Sequence, residues 1–385
     1  VDSFLAFAQS RQAEIVALIG RMVECESPSD DPGAVGRFVE LISDEISGIA
    51  TIETYPGGKF GKHLVCEFAL PGSDKSEQVL ALGHSDTVWP VGTLKSMPFR
   101  EAEGRLWGPG VLDMKAGVAF LIFAVKALRE LDVPVPVKVL LQLNSDEEVG
   151  SDSSRELTES NARKSKAVLV LEPGTGLAGH PKTSRKGVGD YKVTVRGKAA
   201  HSGLDFEKGA SAVLELARQI EKIAGFTDLE RGVTVNPGVI RGGTRPNVIA
   251  AEAAAEVDMR VVRLEDAGPL DEKFKALRPV DGRCTIEVMG GLNRPPMERS
   301  AGGVRLFQTV QEIGREFGIA VEESSSGGGS DGNFTAALGI PTLDGIGAVG
   351  EGAHAPHESI LVDRIADRTA TLAKLLASGC AVTPA

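Results

Sequence analysis

Three short apolar runs without alternation stand out in the first half of the chain: Val79–Leu82, Val137–Leu143 and Ala167–Leu171. Runs of that length suit strands buried on both faces, as in a parallel or mixed sheet covered by helices. Between the first two, Met114–Leu131 sets Val118, Leu121, Ile122, Val125 and Leu128 on one helical stripe. Upstream, Phe4–Glu24 spaces Phe7, Ile15, Leu18, Ile19, Met22 and Val23 as one amphipathic helix, and Val35–Ile49 predicts a second.

After about Lys186 the period changes. Tyr191, Val193 and Val195 alternate with polar residues, the pattern of a strand with one wet face. A helix over Ala210–Ile223, strands near Val233–Ile240 and Ala251–Val262, a helix around Pro269–Leu277 and a strand at Thr285–Met289 follow. This order, strand–helix–strand–strand–helix–strand, is that of a ferredoxin-like α+β unit. Helices at Val304–Phe317 and Asp363–Leu376 return to the earlier style. The pattern therefore predicts an α/β domain with a mixed, mainly parallel sheet (residues 1–185 and 294–385), interrupted by an inserted ferredoxin-like α+β domain (186–293).

Composition narrows the function classes. The 385 residues are 42% hydrophobic and 25% charged, which excludes disorder and fibrous architecture and suits two domains. A net charge of −11 with no basic tract argues against nucleic-acid partners and a membrane surface, and the apolar run Gly117–Val125 stops at Lys126, short of a span. Cys25, Cys66, Cys284 and Cys380 form no C-x-x-C pair and read as packed thiols. No basic-then-apolar leader is visible; the location reads as cytoplasmic, or periplasmic if a leader precedes Val1.

Chemistry-bearing residues follow the buried strands. His84 and Asp86 come after the first run, Glu147 and Glu148 after the second, and Glu172 after the third. Ligand sites of open α/β sheets lie at the carboxyl ends of strands, so these clusters converge on one rim. Asp113, after Gly108-Pro109-Gly110, and His354, after the apolar Pro341–Ile346, extend the set. Three carboxylates, Asp113, Glu148 and Glu172, are not tolerated together in a dry site without cations. Two divalent ions balance them, and imidazole with carboxylate but no thiolate selects Zn²⁺, with Co²⁺ or Mn²⁺ as substitutes. Asp86, two residues from His84, is placed to hydrogen-bond the ring nitrogen that does not bind metal. Glu147, next to a ligand, is the natural non-ligand acid/base. His357 is the rival ligand to His354.

The motifs Gly83-His84-Ser85-Asp86-Thr87-Val88, Gly108–Lys115, Asp146–Ser151, Leu171-Glu172-Pro173, Gly197–Gly203 and the His354 loop occur in the order found in one zinc exopeptidase family. The chain resembles that family, which contains aminoacylases, acetylornithine and succinyl-diaminopimelate deacylases and carboxypeptidase G-type enzymes; the spacing looks most like the last. The resemblance implies that Asp113 bridges two zinc ions, that His84 and Glu172 complete one site and Glu148 and His354 the other, and that Glu147 is the general base. It implies a cis peptide at Asp113-Met114. It also implies that the inserted domain mediates a homodimer, with His201 stabilising the oxyanion in the partner's site and Arg260 and Asn247 holding the substrate carboxylate.

Gly327-Gly328-Gly329 is read as a loop that lets the backbone, at Gly328, approach substrate, with Asp331 capping the following helix Gly332–Leu338. Ser324–Ser326 stand where near relatives carry a basic residue, which counts against a fixed preference for glutamate. The expected activity is hydrolysis of an amide next to a free carboxylate in a small peptide or N-acyl amino acid, releasing the C-terminal amino acid. The alternatives are an N-acetyl or N-succinyl amino acid deacylase with the same mechanism, and a non-catalytic metal-binding dimeric protein.

Overall fold

A computed structural model describes residues 2–73 and 75–380. They divide into two compact units, Val1–Ser184 with Arg299–Ser326 and Ser330–Ala385, and Arg185–Glu298 with Gly327–Gly329.

The first unit is built on a six-stranded sheet in the order Ala50–Pro56, Lys62–Phe68, Lys138–Asn144, Gln78–His84, Ala167–Val170 and Thr342–Leu343. The first two pairings are antiparallel and the other three parallel. Both faces are covered, which explains the nearly uninterrupted apolar runs. Val79, Ala81, Val139 and Leu141 join the large core beneath the helices Gln12–Glu24, Pro32–Ile46, Ala116–Glu130 and Ile365–Ala377. Leu80, Leu82, Leu140, Val168 and Val170 form a second core on the other face with Ala162 of the Arg155–Arg163 helix. Register pairs His84 with Asn144 and Leu82 with Val170, so the loops carrying His84, Glu147 and Glu172 leave the sheet side by side.

Two helices differ from expectation. Phe4–Glu24 is two helices, Ser3–Ser10 and Gln12–Glu24, because Arg11 leaves helical geometry (φ −103°, ψ 8°). The helix expected from Met114 begins at Ala116, since Asp113 and Met114 are non-helical and joined by a cis peptide. Its apolar residues are buried all round rather than on one stripe, the mark of a central helix.

A smaller antiparallel sheet joins Gly350–Glu351, Ser359–Leu361, Arg105–Trp107 and Arg100–Ala102. Its first two strands form the hairpin whose loop carries His354.

The second unit has an antiparallel sheet in the order Thr234–Gly242, Glu252–Val261, Gly187–Arg196 and Thr285–Arg294, with helices Ala212–Ala224 and Ala267–Lys275. This is the ferredoxin-like arrangement. Burial alternates along Gly187–Arg196, and Tyr191 stacks on Phe274 at 3.8 Å between ring centroids. All four cysteines are free, and among the described residues no helix is long and apolar enough to cross a membrane.

Candidate metal centre

The sheet ends of the first unit bring five ligand-type side chains into two groups that share Asp113: His84, Asp113 and Glu172, and Asp113, Glu148 and His354. The two Asp113 oxygens divide between them. Oδ1 lies 3.1 Å from His84 Nε2, and Oδ2 lies 3.2 Å from His354 Nε2. His84 Nε2 is 3.6 Å from Glu172 Oε1, and His354 Nε2 is 3.2 Å from Glu148 Oε2. His357 belongs to neither group; it is exposed.

Each position has a local cause. Gly117 and Gly347 pack against the Leu171 carbonyl so closely that a Cβ would sit 2.2 and 2.0 Å from it, which seats the Leu171–Glu172 backbone. His354 adopts φ 62°, in the left-handed region that non-glycine residues seldom use.

The acidic centre perturbs its histidines. Hydrogen bonds donated to Asp113 and Glu148 hold His354 up to about 10 despite partial burial. His84 is raised well above the usual histidine range: burial opposes this, but Asp113, Asp86 and Glu172 prevail. Burial pushes Glu148 up, and its Oε1 is buried with no hydrogen-bond partner. A tetrahedral ion with bonds of ~2.0–2.2 Å sets its ligand atoms about 3.3–3.6 Å apart, close to the spacings observed, and the N/O donor set suits zinc-like ions rather than Ca²⁺ or Mg²⁺. The residues present fit a pair of such ions.

Asp86 does more than hold the His84 ring. The partner of His84 Nδ1 is the Asp86 backbone carbonyl at 2.8 Å, with its carboxylate Oδ1 at 3.5 Å. That carboxylate also accepts N–H bonds from Glu147 and Glu148, both at 3.2 Å, and the Ser29 hydroxyl at 2.6 Å. Asp86 therefore ties the His84 loop to the turn that carries Glu147, which is half-buried. Asp331 departs from its expected role. Its carboxylate makes no side-chain cap bond to that helix; it accepts from Asn144 Nδ2 (2.6 Å) and Ser151 Oγ (2.5 Å), on either side of that same turn.

Sequence reasoning missed Glu358. It is buried and accepts N–H bonds from Gly110 (2.9 Å), Leu112 (2.9 Å) and Asp113 (3.1 Å), and from Trp89 Nε1 (2.8 Å). The bridging loop hangs on this carboxylate. A glutamate four residues beyond His354 carried no pattern that would mark it.

The remaining candidates lie in the second unit. His201 is exposed, and its Nδ1 accepts N–H bonds from Gly203 (3.1 Å) and Leu204 (3.2 Å). Pairing of His201 with Val248, and a Ser202 N–H bond to the Asn247 carbonyl at 3.1 Å, bring His201 beside Asn247. Arg260 is held by Asp258, with Nε 3.0 Å from Oδ1 and Nη2 2.7 Å from Oδ2. The Gly328 carbonyl accepts from Arg185 Nη1 at 3.1 Å.

Residues 80–378 match the model of peptidase family M20/M25/M40. Carboxypeptidase G2 of Pseudomonas sp. (strain RS-16) is 28% identical over 358 residues, covering 90% of this chain and 84% of the relative. Acetylornithine deacetylase of Myxococcus xanthus is 32% identical over 204 residues, 50% of this chain and 52% of the relative. Among solved structures, aminopeptidase PepT from Bacillus cereus superposes with a TM-score of 0.77 at 21% identity, over 96% of this chain and 99% of that one. This last likeness concerns the fold alone.

Proposed function

The chain belongs to peptidase family M20/M25/M40, and on that premise we propose that it is a two-zinc exopeptidase cleaving the amide next to a free carboxylate. That it is a metal-dependent hydrolase of the carboxypeptidase or deacylase kind follows from its family and relatives. The observation that carries the finer reading is the division of one carboxylate, Asp113, between two imidazoles at 3.1 and 3.2 Å.

His84 and Glu172 would hold one ion, Glu148 and His354 the other, and Asp113 both. Bound there, the metal pair supplies Lewis acidity that polarises a carbonyl and lowers the pKa of water towards ~7. The protein's own part is proton handling and orientation. A Glu147 carboxylate oxygen takes the proton from the attacking water and delivers it to the leaving nitrogen. Asp86 accepts the Glu147 N–H and so fixes the backbone from which that carboxylate extends.

In the second unit, the backbone bonds to His201 Nδ1 favour a ring proton on Nε2, the atom able to donate to a developing oxyanion. Arg260 and Asn247, with the Gly328 backbone, would receive the substrate carboxylate, the guanidinium pre-oriented by Asp258. Exposed Leu204, Phe206, Leu214 and Ile240 on this unit support association into a homodimer.

Metal analysis of the purified protein should find two zinc ions per chain. Glu147→Gln should retain them while losing ~10²–10⁴-fold in kcat; full turnover by that variant would remove Glu147 from the proposal. A deacylase of N-acyl amino acids is the second reading, supported by the similarity to an acetylornithine deacetylase. Peptides and N-acetyl and N-succinyl amino acids, assayed side by side, decide between the two.

A further inference from the structure

His63 lies apart from both ligand groups, at the start of the Lys62–Phe68 strand, with its ring buried at 1% exposure. The Ser145 backbone N–H donates to its Nδ1 at 3.1 Å, and Ser145 Oγ stands 3.0 Å from the same atom. Nε2 is 3.2 Å from Ser153 Oγ, whose hydroxyl donates to Asp146 Oδ2 at 2.7 Å. A backbone amide only donates, so Nδ1 must present a lone pair and the ring proton must sit on Nε2. Donation then runs one way, from His63 to Ser153 and from Ser153 to Asp146. The neutral ring fits this chain; on an imidazolium the Nδ1–H would face the Ser145 N–H, with the Ser145 hydroxyl oxygen beside it as the acceptor.

Ser145 is the first residue beyond the Lys138–Asn144 strand and opens the turn that carries Glu147 and Glu148. The turn's other fixings are carboxylates, Asp86 on its N–H groups and Asp331 on Asn144 and Ser151. His63 is the neutral member of the set.

We propose that His63 is a positioning residue for hydrolysis: as a neutral acceptor for the Ser145 N–H it fixes the turn bearing Glu147, and its protonation releases that turn. The inference rests on the reading of Glu147 as proton carrier. Charged groups face the ring from three elements: Asp146 on the turn, Asp331 before the Gly332–Ala337 helix, and Asp86 beyond the Gln78–His84 strand. Burial lowers the ring's proton affinity, and it outweighs the upward pull of those carboxylates and of the Ser153 backbone. The ring is therefore neutral at neutral pH, and release falls on the acid side of the ordinary histidine value of ~6.5.

The test uses the zinc-loaded full chain, with kcat and KM measured from about pH 5 to 8 for wild type, His63→Asn and His63→Leu. Metal content and thermal midpoint are recorded alongside. Asparagine sets an amide oxygen where Nδ1 stands and does not titrate in this range. His63→Leu should keep its metal and KM but lose on the order of 10–100-fold in kcat, as expected when a reacting group is slightly misplaced. His63→Asn should restore kcat to within about threefold of wild type and drop one ionisation from the acid limb. Wild-type kcat in His63→Leu, or an unchanged acid limb in His63→Asn, overturns the proposal. Should His63→Leu fail to fold, His63→Asn and the ¹⁵N shifts of the wild-type ring decide, a protonated Nδ1 at neutral pH being the overturning result. Glu147→Gln is run in parallel. If it stays active, the reading of the base fails; if it is dead while both His63 variants match wild type, the positioning role alone fails.

Discussion

The two sheets of this protein handle burial in opposite ways. In the first unit every central strand is covered on both faces: Val79 and Ala81 enter one core, Leu80 and Leu82 the other. No face remains for chemistry, so polar residues collect where strands end. There His84 and Asn144 stand level, and the following turns are fixed by buried side-chain bonds from Asp86, Asp331 and His63. In the second unit the sheet is covered on one side. Tyr191, Val193 and Val195 are buried while Asp190, Lys192 and Arg196 face solvent, and Thr234–Gly242 lies at an open edge. Double coverage gives a rigid rim suited to holding ions; single coverage leaves surface for a partner or a substrate.

The sharpest way to break this contrast is at Asp113. Asp113→Ala removes the ligand common to both groups, so metal content should fall at both positions. Turnover should drop beyond the ~10²–10⁴-fold expected for losing a proton carrier; one full-affinity ion left in calorimetric titration would argue against sharing. Next is Phe274→Ala, which opens a cavity under Tyr191 and Phe226 in the second unit. It should cost that unit ~3–5 kcal/mol in denaturant unfolding while metal binding by the first persists. Parallel loss of metal would mean that the units do not behave separately.

Glu358→Ala probes the rigid rim without touching a ligand side chain. Metal affinity should weaken ~10–100-fold, as when a partner that orients ligands is lost; a competition titration against a chelator measures it.

The smallest effect concerns Glu215, a fully buried carboxylate of the second unit. Burial by itself would raise its pKa. It is nonetheless held below 4.5 by N–H bonds from Asp281 and Val280, by Gln219 and by Arg218. Because the folded value is depressed, its stabilisation is fully present above 4.5 and is lost as pH falls below it. Glu215→Gln should cost about 1–3 kcal/mol at neutral pH and flatten this acid dependence. Unfolding curves at several pH values read it directly.

Much of this was legible in the sequence because it is local. The buried strands show in Val137–Leu143, the half-wet ones in the alternation after Tyr191, and the strand-end donors in their position after each run. The helix break at Arg11 was not legible, since the flanking residues keep a helical spacing while the backbone turns away, and the break before Ala116 showed only through the cis peptide that the resemblance implies. Nor were the carboxylates that act on backbone N–H groups. Asp86 was placed beside His84 by its spacing, yet its side chain serves the Glu147 turn. Asp331 precedes a helix as a cap would, yet its carboxylate accepts from Asn144 and Ser151, far away in the chain. Glu358 and His63 had no motif at all.

The sequence by itself determined which residues are apolar on one face or on both, and so which strands lie deep, where they stop and what donors follow. Periodicity is silent on which donors meet; packing brings them together. Asp113 reaches Glu358 and His354 through the closure of a distant hairpin, and Ser145 reaches His63 through strand register. The physical reason is that burial is read from periods of two or 3.6 residues. A hydrogen bond between residues 82 or 245 positions apart depends on the packing of everything between them.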